Sequence, residues 1–154
     1  MSRAFVNEQE IDATVDLPDR LVSSHPNDVT VEGMKQLDSM LHAAHEARAA
    51  ALRGQNRSAL AAAARDLRYW SAHRATARVV PISADNMEVR FGSAVSIRRS
   101  DGREQTFRIV GEDEANPSRG SISHASPMAC ALMRKCLGDV VLLGLEEIEI
   151  TAIR

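Results

Sequence analysis

The stretch VEGMKQLDSMLHAAHEARAAALRGQNRSALAAAARDLRYWSAHRATAR, residues 31–78, decides the fold. Its apolar positions begin Met34, Leu37, Leu41, Ala44 and, past an intruding Arg48, resume at Ala51. The spacings alternate three and four. Leu60, Ala63, Leu67, Trp70, Arg74 and Ala77 repeat that alternation in the second half. This is the seam of a coiled coil. Between the halves lies Arg53-Gly54-Gln55-Asn56-Arg57-Ser58. Gly54 suits a helix C-cap, Asn56 tolerates a left-handed turn and Ser58 can cap a second helix. Thr30 can cap the first helix, and Gly33 falls early enough to be tolerated. So short a link makes the two helices antiparallel neighbours. Each arm spans on the order of 30 Å. The seam is alanine-rich near the tip, so the helices approach closely there, and the bulky Leu, Met and Trp lie toward the base. An alanine-rich distal half buries little. That predicts a projecting finger rather than a hairpin packed into one globule.

Upstream, residues 1–30 carry six acids and two bases, a net charge of −4, whereas residues 31–78 carry four acids and eight bases, +4. The upstream segment has no sustained periodicity. Pro18 and Pro26 punctuate it, and the residue before a proline avoids the α region. It reads as an acidic, partly ordered arm, with two readings open: a leader, or a strap lying on the basic hairpin.

Downstream, Pro81 ends the second helix and residues 82–86 read as a linker. From Met87 the period changes to two. Val89, Phe91 and Val95, Ile97 flank a bend at Gly92-Ser93. Asp101-Gly102 marks a hairpin turn between strands at residues 95–99 and 104–110. A short strand follows at 121–124. Ser126-Pro127 starts a helix, with serine as N-cap and proline at the first helical position. That helix, expected over 128–137, carries Cys130, Leu132, Met133 and Cys136 toward a core. Strands at 140–143 and 148–153 close an antiparallel sheet. The fold class is therefore α+β: an N-terminal helical hairpin over 31–80, then a sheet domain with one helix over 82–154.

Composition excludes several classes. Aromatics are only 3% of the 154 residues, too few for a platform that stacks single-stranded bases. No apolar run approaches the length that crosses a bilayer, and the N-terminus lacks the pattern of a signal peptide. Cys130 and Cys136, about 9 Å apart along a helix, are too distant to bridge. As reduced, buried thiols they fit a cytoplasmic protein.

Several blocks from Val89 onward resemble the C-terminal domain of the bacterial Gre transcript-cleavage factor family, GreA and GreB. They are Phe91-Gly92-Ser93-Ala94-Val95, the run from Phe107 to Ala115, Ile122-Ser123, Ser126-Pro127-Met128-Ala129, Ala131-Leu132-Met133-Arg134-Lys135 and Gly138-Asp139-Val140-Val141. Val31-Glu32-Gly33 with Leu37 resembles the start of that family's coiled coil. The resemblance implies an FKBP-like C-terminal domain that docks at the rim of the RNA polymerase secondary channel. It implies a coiled coil that enters the channel, and acids at its tip that help hold a second magnesium ion for hydrolysis of backtracked RNA. This chain departs at the tip. Arg53, Gln55, Asn56 and Arg57 bring no carboxylate, and magnesium wants hard carboxylate oxygens. The nearest acids are Glu46 and Asp66, on the order of 10 Å or more down their arms. The hairpin is also shorter than the cleavage factors', by roughly two turns per arm. The chain is in this respect similar to short-finger, Rnk-type members.

The expected function is thus a polymerase-binding elongation regulator without a catalytic residue, cofactor or metal of its own. Docking is assigned to Asp113, Glu114, Ser126 and Pro127, with Glu112-Asp113-Glu114 otherwise a solvated loop. Arg53 and Arg57 either contact phosphate or merely solubilise the tip. The alternatives are an active cleavage-stimulating factor using Glu46 or Asp66, and a stand-alone FKBP-like binding module. His42, His45 and Glu46 with His73 make a poor metal site and a better solvated face. DNA binding by the hairpin ranks lower because no groove-reading motif accompanies its bases. No membrane and no small-molecule substrate is implied.

Overall fold

The structure is a computed structural model and describes residues 16–154. The first half of the acidic arm, residues 1–15, lies outside the described residues. A first strand β1 (Asp28–Val29) leads into helix α1 (Val31–Arg53), which is followed by α2 (Arg57–Thr76) and strand β2 (Arg78–Val79). Thr30 caps α1: its hydroxyl accepts from the Gly33 N–H at 3.0 Å. At the tip the link is tighter than expected. Gln55, not Asn56, takes the left-handed conformation at φ 48°. Asn56, not Ser58, caps α2, its side chain accepting from the Ala59 N–H at 2.9 Å. A link of only Gly54-Gln55-Asn56 leaves Ser58 already inside the helix.

The two helices pack along the expected seam. Leu37, Ala44 and Ala51 are buried from α1, and Ala63 and Trp70 from α2. Arg48 stays exposed. Val29, Leu37, Ala44 and Trp70 form one apolar cluster near the base, joined by Met34, Leu41 and Leu67. α2 stops at Thr76, five residues before Pro81, because Ala77 turns extended and β2 pairs in parallel with β1. Asp28 faces Arg78 and Val29 faces Val79. The end of the acidic arm is thereby tied to the exit of the hairpin.

Strands β3 (Ala94–Arg99), β4 (Glu104–Val110), β5 (Ser121–Ser123), β6 (Val140–Leu143) and β7 (Glu146–Ile153) form one sheet in the order β5-β4-β3-β7-β6. The pairs β4–β3, β3–β7 and β7–β6 are antiparallel and β5 pairs in parallel with β4, so the sheet is mixed. Asp101-Gly102 makes the β3–β4 turn, with Gly102 at φ 83°, a conformation that favours glycine. A bulge interrupts the β3–β7 ladder between Ser96 and Ile97. Val95, Ile97, Ile109, Ile122, Ile148 and Ile150 build the core on one face. Helix α3 (Pro127–Leu132) covers it with Ala129 and Leu132.

α3 is shorter than the expected 128–137. Arg134 sits at φ 61°, its N–H bonds the Val89 carbonyl at 2.9 Å, and the Val89 N–H bonds the Lys135 carbonyl at 2.8 Å. The main chain of Val89 takes the polar groups that another helical turn needs. Val89 is thereby buried, and Glu88 forms only an isolated bridge to Cys136. Cys130 and Cys136 are both exposed, which corrects their expected place in the core. Among the described residues, no helix is long and apolar enough to cross a membrane.

Candidate functional site

The loop after β4 begins Gly111-Glu112-Asp113-Glu114 and meets the base of the hairpin. The apolar clusters of hairpin and sheet are separate. What joins them is largely polar, and two adjacent acids supply it.

Asp113 reaches the inner face of α2. Its Oδ1 accepts from the Tyr69 hydroxyl at 2.8 Å, and its Oδ2 lies 2.6 Å from Nδ1 of His73. The side chains of His73 and Asp113 are only 8% and 14% exposed, so water competes little for this pair. The Tyr69 and His73 rings stack at 4.0 Å, as positions i and i+4 on one helical face allow. Asn27 donates from its amide to the His73 carbonyl at 2.8 Å. Burial, and then the hydrogen bond to Asp113 and the charge of that carboxylate, push the Tyr69 hydroxyl up to about 12.

Glu114 sits at the N-terminus of α1. Its carboxylate accepts from the Thr30 N–H at 3.0 Å, from the Thr30 hydroxyl and from the Gly111 N–H at 3.0 Å. A negative group is favoured there by the unpaired N–H groups and the helix dipole. The carboxyl group occupies the space that a Cβ at Gly33 would fill, and it crowds the same position at Gly111. A Cβ at Gly33 is housed only by moving the Glu114 carboxyl group off Thr30 and Gly111, so Gly33 is matched to Glu114 and not merely tolerated.

Ser126 caps α3, its hydroxyl accepting from the Ala129 N–H at 3.2 Å, and Pro127 opens the helix. Parallel pairing of β4 with β5 sets Val110 beside Ser123, so the loops that follow both strands leave the same end of the sheet. His25 bridges them: it lies 4.0 Å from Glu112 and packs edge-on to His124 at 6.5 Å. The structure thus brings Asp113, Glu114, Ser126 and Pro127 to one end of the domain. Asp113 and Glu114 are held in the junction with the hairpin, while Ser126 and Pro127 lie in the neighbouring loop. Arg53, Gln55, Asn56 and Arg57 stand apart from them, exposed at the far end of a helix of 23 residues, on the order of 35 Å away. Glu46 is exposed on α1, and Asp66 is engaged by Arg65 at 3.1 Å and Arg20 at 3.7 Å.

The described part of the acidic arm lies on α2. Arg68 donates to Asp19 at 2.7 Å and to Asp16 at 3.3 Å, and the Arg20 guanidinium stacks over the Tyr69 ring at 3.7 Å. This is the strap reading of the arm. Sequence reasoning missed Tyr69 and weighed His73 only as a poor metal ligand, not as a partner of Asp113. The one local signal was two polar rings at helical spacing beside the seam residue Trp70.

The family described as "Transcription elongation factor, GreA/GreB, C-term" matches residues 84–154. Residues 84–154 are thus a domain of the GreA/GreB C-terminal type. The Gre-type domain is 46% identical over 70 residues to transcription elongation factor GreB of Neisseria meningitidis, covering 43% of each chain. It is 53% identical over 53 residues to transcription elongation factor GreA of Chloroflexus aurantiacus, covering 34% of each. The chain thus spans less than half the length of the curated relatives it matches. A crystal structure of GreA factor homolog 1 of Thermus thermophilus superimposes with a TM-score of 0.41 at 21% identity, covering 84% of this chain and 99% of that one. The clasp acids Asp113 and Glu114, which hold the base of the hairpin, and the Ser126-Pro127 loop all lie within the Gre-type domain.

Proposed function

We propose that this chain is a transcription elongation regulator that binds RNA polymerase through its Gre-type domain and presents a short basic finger to the secondary channel. Its matched relatives are named as transcription elongation factors, and that supports the partner. Docking uses the end of the sheet where Ser126 and Pro127 lie. Asp113 and Glu114 serve that edge by fixing the finger to it. The chain is not itself an enzyme and does not stimulate transcript cleavage.

The observation that carries this reading is the tip. Arg53-Gly54-Gln55-Asn56-Arg57 presents exposed residues and no carboxylate. A tip without hard oxygen ligands does not deliver magnesium. The second reading, a cleavage factor using Glu46 or Asp66, places its acids on the shaft of the finger, and Asp66 is already paired with two arginines.

The test has two steps. RNA polymerase is first retained on the immobilised full chain, and failure of retention overturns the assignment of partner in favour of a stand-alone FKBP-like module. Backtracked complexes are then incubated with magnesium. RNA shortening no faster than the polymerase's own rate is expected, and shortening above that rate establishes the cleavage factor instead. The paired change Arg53→Ala and Arg57→Ala leaves retention intact and alters the effect on elongation.

A further inference from the structure

The sheet has an edge that is built unlike its other one. β5 offers three residues, and only Ile122 of them is apolar. β6 offers Val140-Val141-Leu142-Leu143, and beyond it no strand follows among the described residues. Edge strands in soluble proteins are normally blunted by shortness, charge, proline or a bulge; β6 is short, at four residues, but carries no charge, proline or bulge. Val140 and Leu142 point away from the core and are 59% and 67% exposed. Directly across the ladder from them stand Glu149 and Glu147. Residues 136–149 contain four acids and no base.

We propose that β6 is a docking edge for an extended segment of another protein that adds to the sheet as a sixth strand and carries alternating apolar and basic side chains. The alternation follows from the two faces of β6. On the core side, Val141 is buried and Leu143 is half-buried, so apolar residues of the incoming strand extend the core. On the outer side, a Lys or Arg lays its aliphatic stem across Val140 or Leu142 and carries its charge toward Glu147 or Glu149 on the strand behind. Glu147 makes no ion pair among the described residues, whereas Glu149 already holds Arg98 at 3.2 Å. A second copy of this chain is the wrong occupant, because its β6 carries no base to meet Glu147 or Glu149. This inference stands on the edge alone and does not depend on the partner proposed above.

The probe is a seven-residue peptide of alternating lysine and valine, added to the full chain labelled with nitrogen-15. Amide shifts at residues 140–143 are expected, together with saturable binding. The same peptide with glutamate for lysine, and one N-methylated at alternate residues to remove its strand donors, are expected not to bind. Glu147→Lys weakens the lysine peptide roughly fivefold, the size of one exposed ion pair. Val140→Lys with Leu142→Lys, at positions already exposed, abolishes binding in a chain that remains folded by circular dichroism. Shifts confined to other residues, equal binding of the N-methylated peptide, or self-association of the unmodified chain that Leu142→Lys removes would each overturn the proposal.

Discussion

Asp113 and His73 stand forty residues apart in the chain, and a carboxylate oxygen of one lies 2.6 Å from Nδ1 of the other. The pair joins a loop of the Gre-type domain to the base of a finger whose own core is separate. With Glu114 at the start of α1, it sets the angle at which the finger leaves the domain. The first prediction concerns this pair. Asp113→Asn removes the charge and turns one acceptor into a donor facing the Tyr69 hydroxyl and the imidazole. Hydrogen bonds to a charged group contribute about 1.5–3 kcal/mol each, so a loss of about 2–4 kcal/mol is expected in denaturant unfolding of the full chain. Spin-label distances between the tip and the domain should broaden. A variant that keeps both its stability and a narrow distance distribution refutes the clasp.

Gly33→Ala tests the other half of the junction. Alanine in a helix is favoured over glycine by up to about 1 kcal/mol. Here its Cβ displaces the Glu114 carboxyl group, the free end of a flexible side chain, which yields only by giving up its hydrogen bonds to Thr30 and Gly111, at about 1.5–3 kcal/mol for each such bond lost. The second effect outweighs the first, and the single variant is less stable. In Glu114→Ala the space is open, so adding Gly33→Ala to it should be neutral or stabilising. Additive behaviour of the two changes would show that Gly33 answers to something other than Glu114.

Tyr69 gives the pH dependence. Its hydroxyl holds its proton up to about 12 in the folded chain, against 10.0 for a free tyrosine, chiefly through burial and then through Asp113. The folded state therefore binds the proton more tightly. The stability this contributes is present below pH 10 and is lost as pH rises from 10 toward 12. Tyr69 is the single tyrosine of the sequence, so ultraviolet absorbance of the phenolate reports it alone. The midpoint should fall toward 10 in Asp113→Asn. A midpoint near 10 in the unmodified chain contradicts the geometry.

The strap makes a prediction about affinity. Cutting the chain after residue 24 frees Arg68 from Asp16 and Asp19 while keeping Asn27 and β1. Exposed ion pairs are worth about 0.2–1 kcal/mol each. On the proposed function, affinity for RNA polymerase at low salt should rise by roughly two- to thirtyfold, and the gain should vanish at high salt. An affinity that does not change leaves the strap as packing for the Tyr69 and Trp70 rings.

The two thiols offer the quickest check. Cys130 and Cys136 are exposed, and both should react with a thiol reagent in the folded protein without denaturant. Reaction of only one, or of neither, would put the end of α3 back in the core.

The sequence by itself determined what depends on neighbours a few residues apart. The hairpin was legible because its apolar spacing of three and four is a local property of α1 and α2. The turn at Asp101-Gly102 and the caps at Thr30 and Ser126 were legible for the same reason: each is satisfied within three or four residues. The absence of acids at the tip needed no structure. Contacts across long separations were decided only by the tertiary fold. Val89 takes the main-chain groups near Arg134, so α3 ends early and Cys136 faces solvent. β5 runs parallel to β4 because the chain crosses back through residues 117–120 before pairing. In sequence, Asp113 and Glu114 read as docking residues or else as a solvated acidic loop, because acids in a loop usually face water. Their partners Tyr69, His73, Thr30 and Gly33 lie 40 to 84 residues away in sequence, and no local pattern encodes a pairing over such distances. Folding brings these groups out of water together, and the cost of leaving a buried carboxylate unpaired then fixes the finger to the domain.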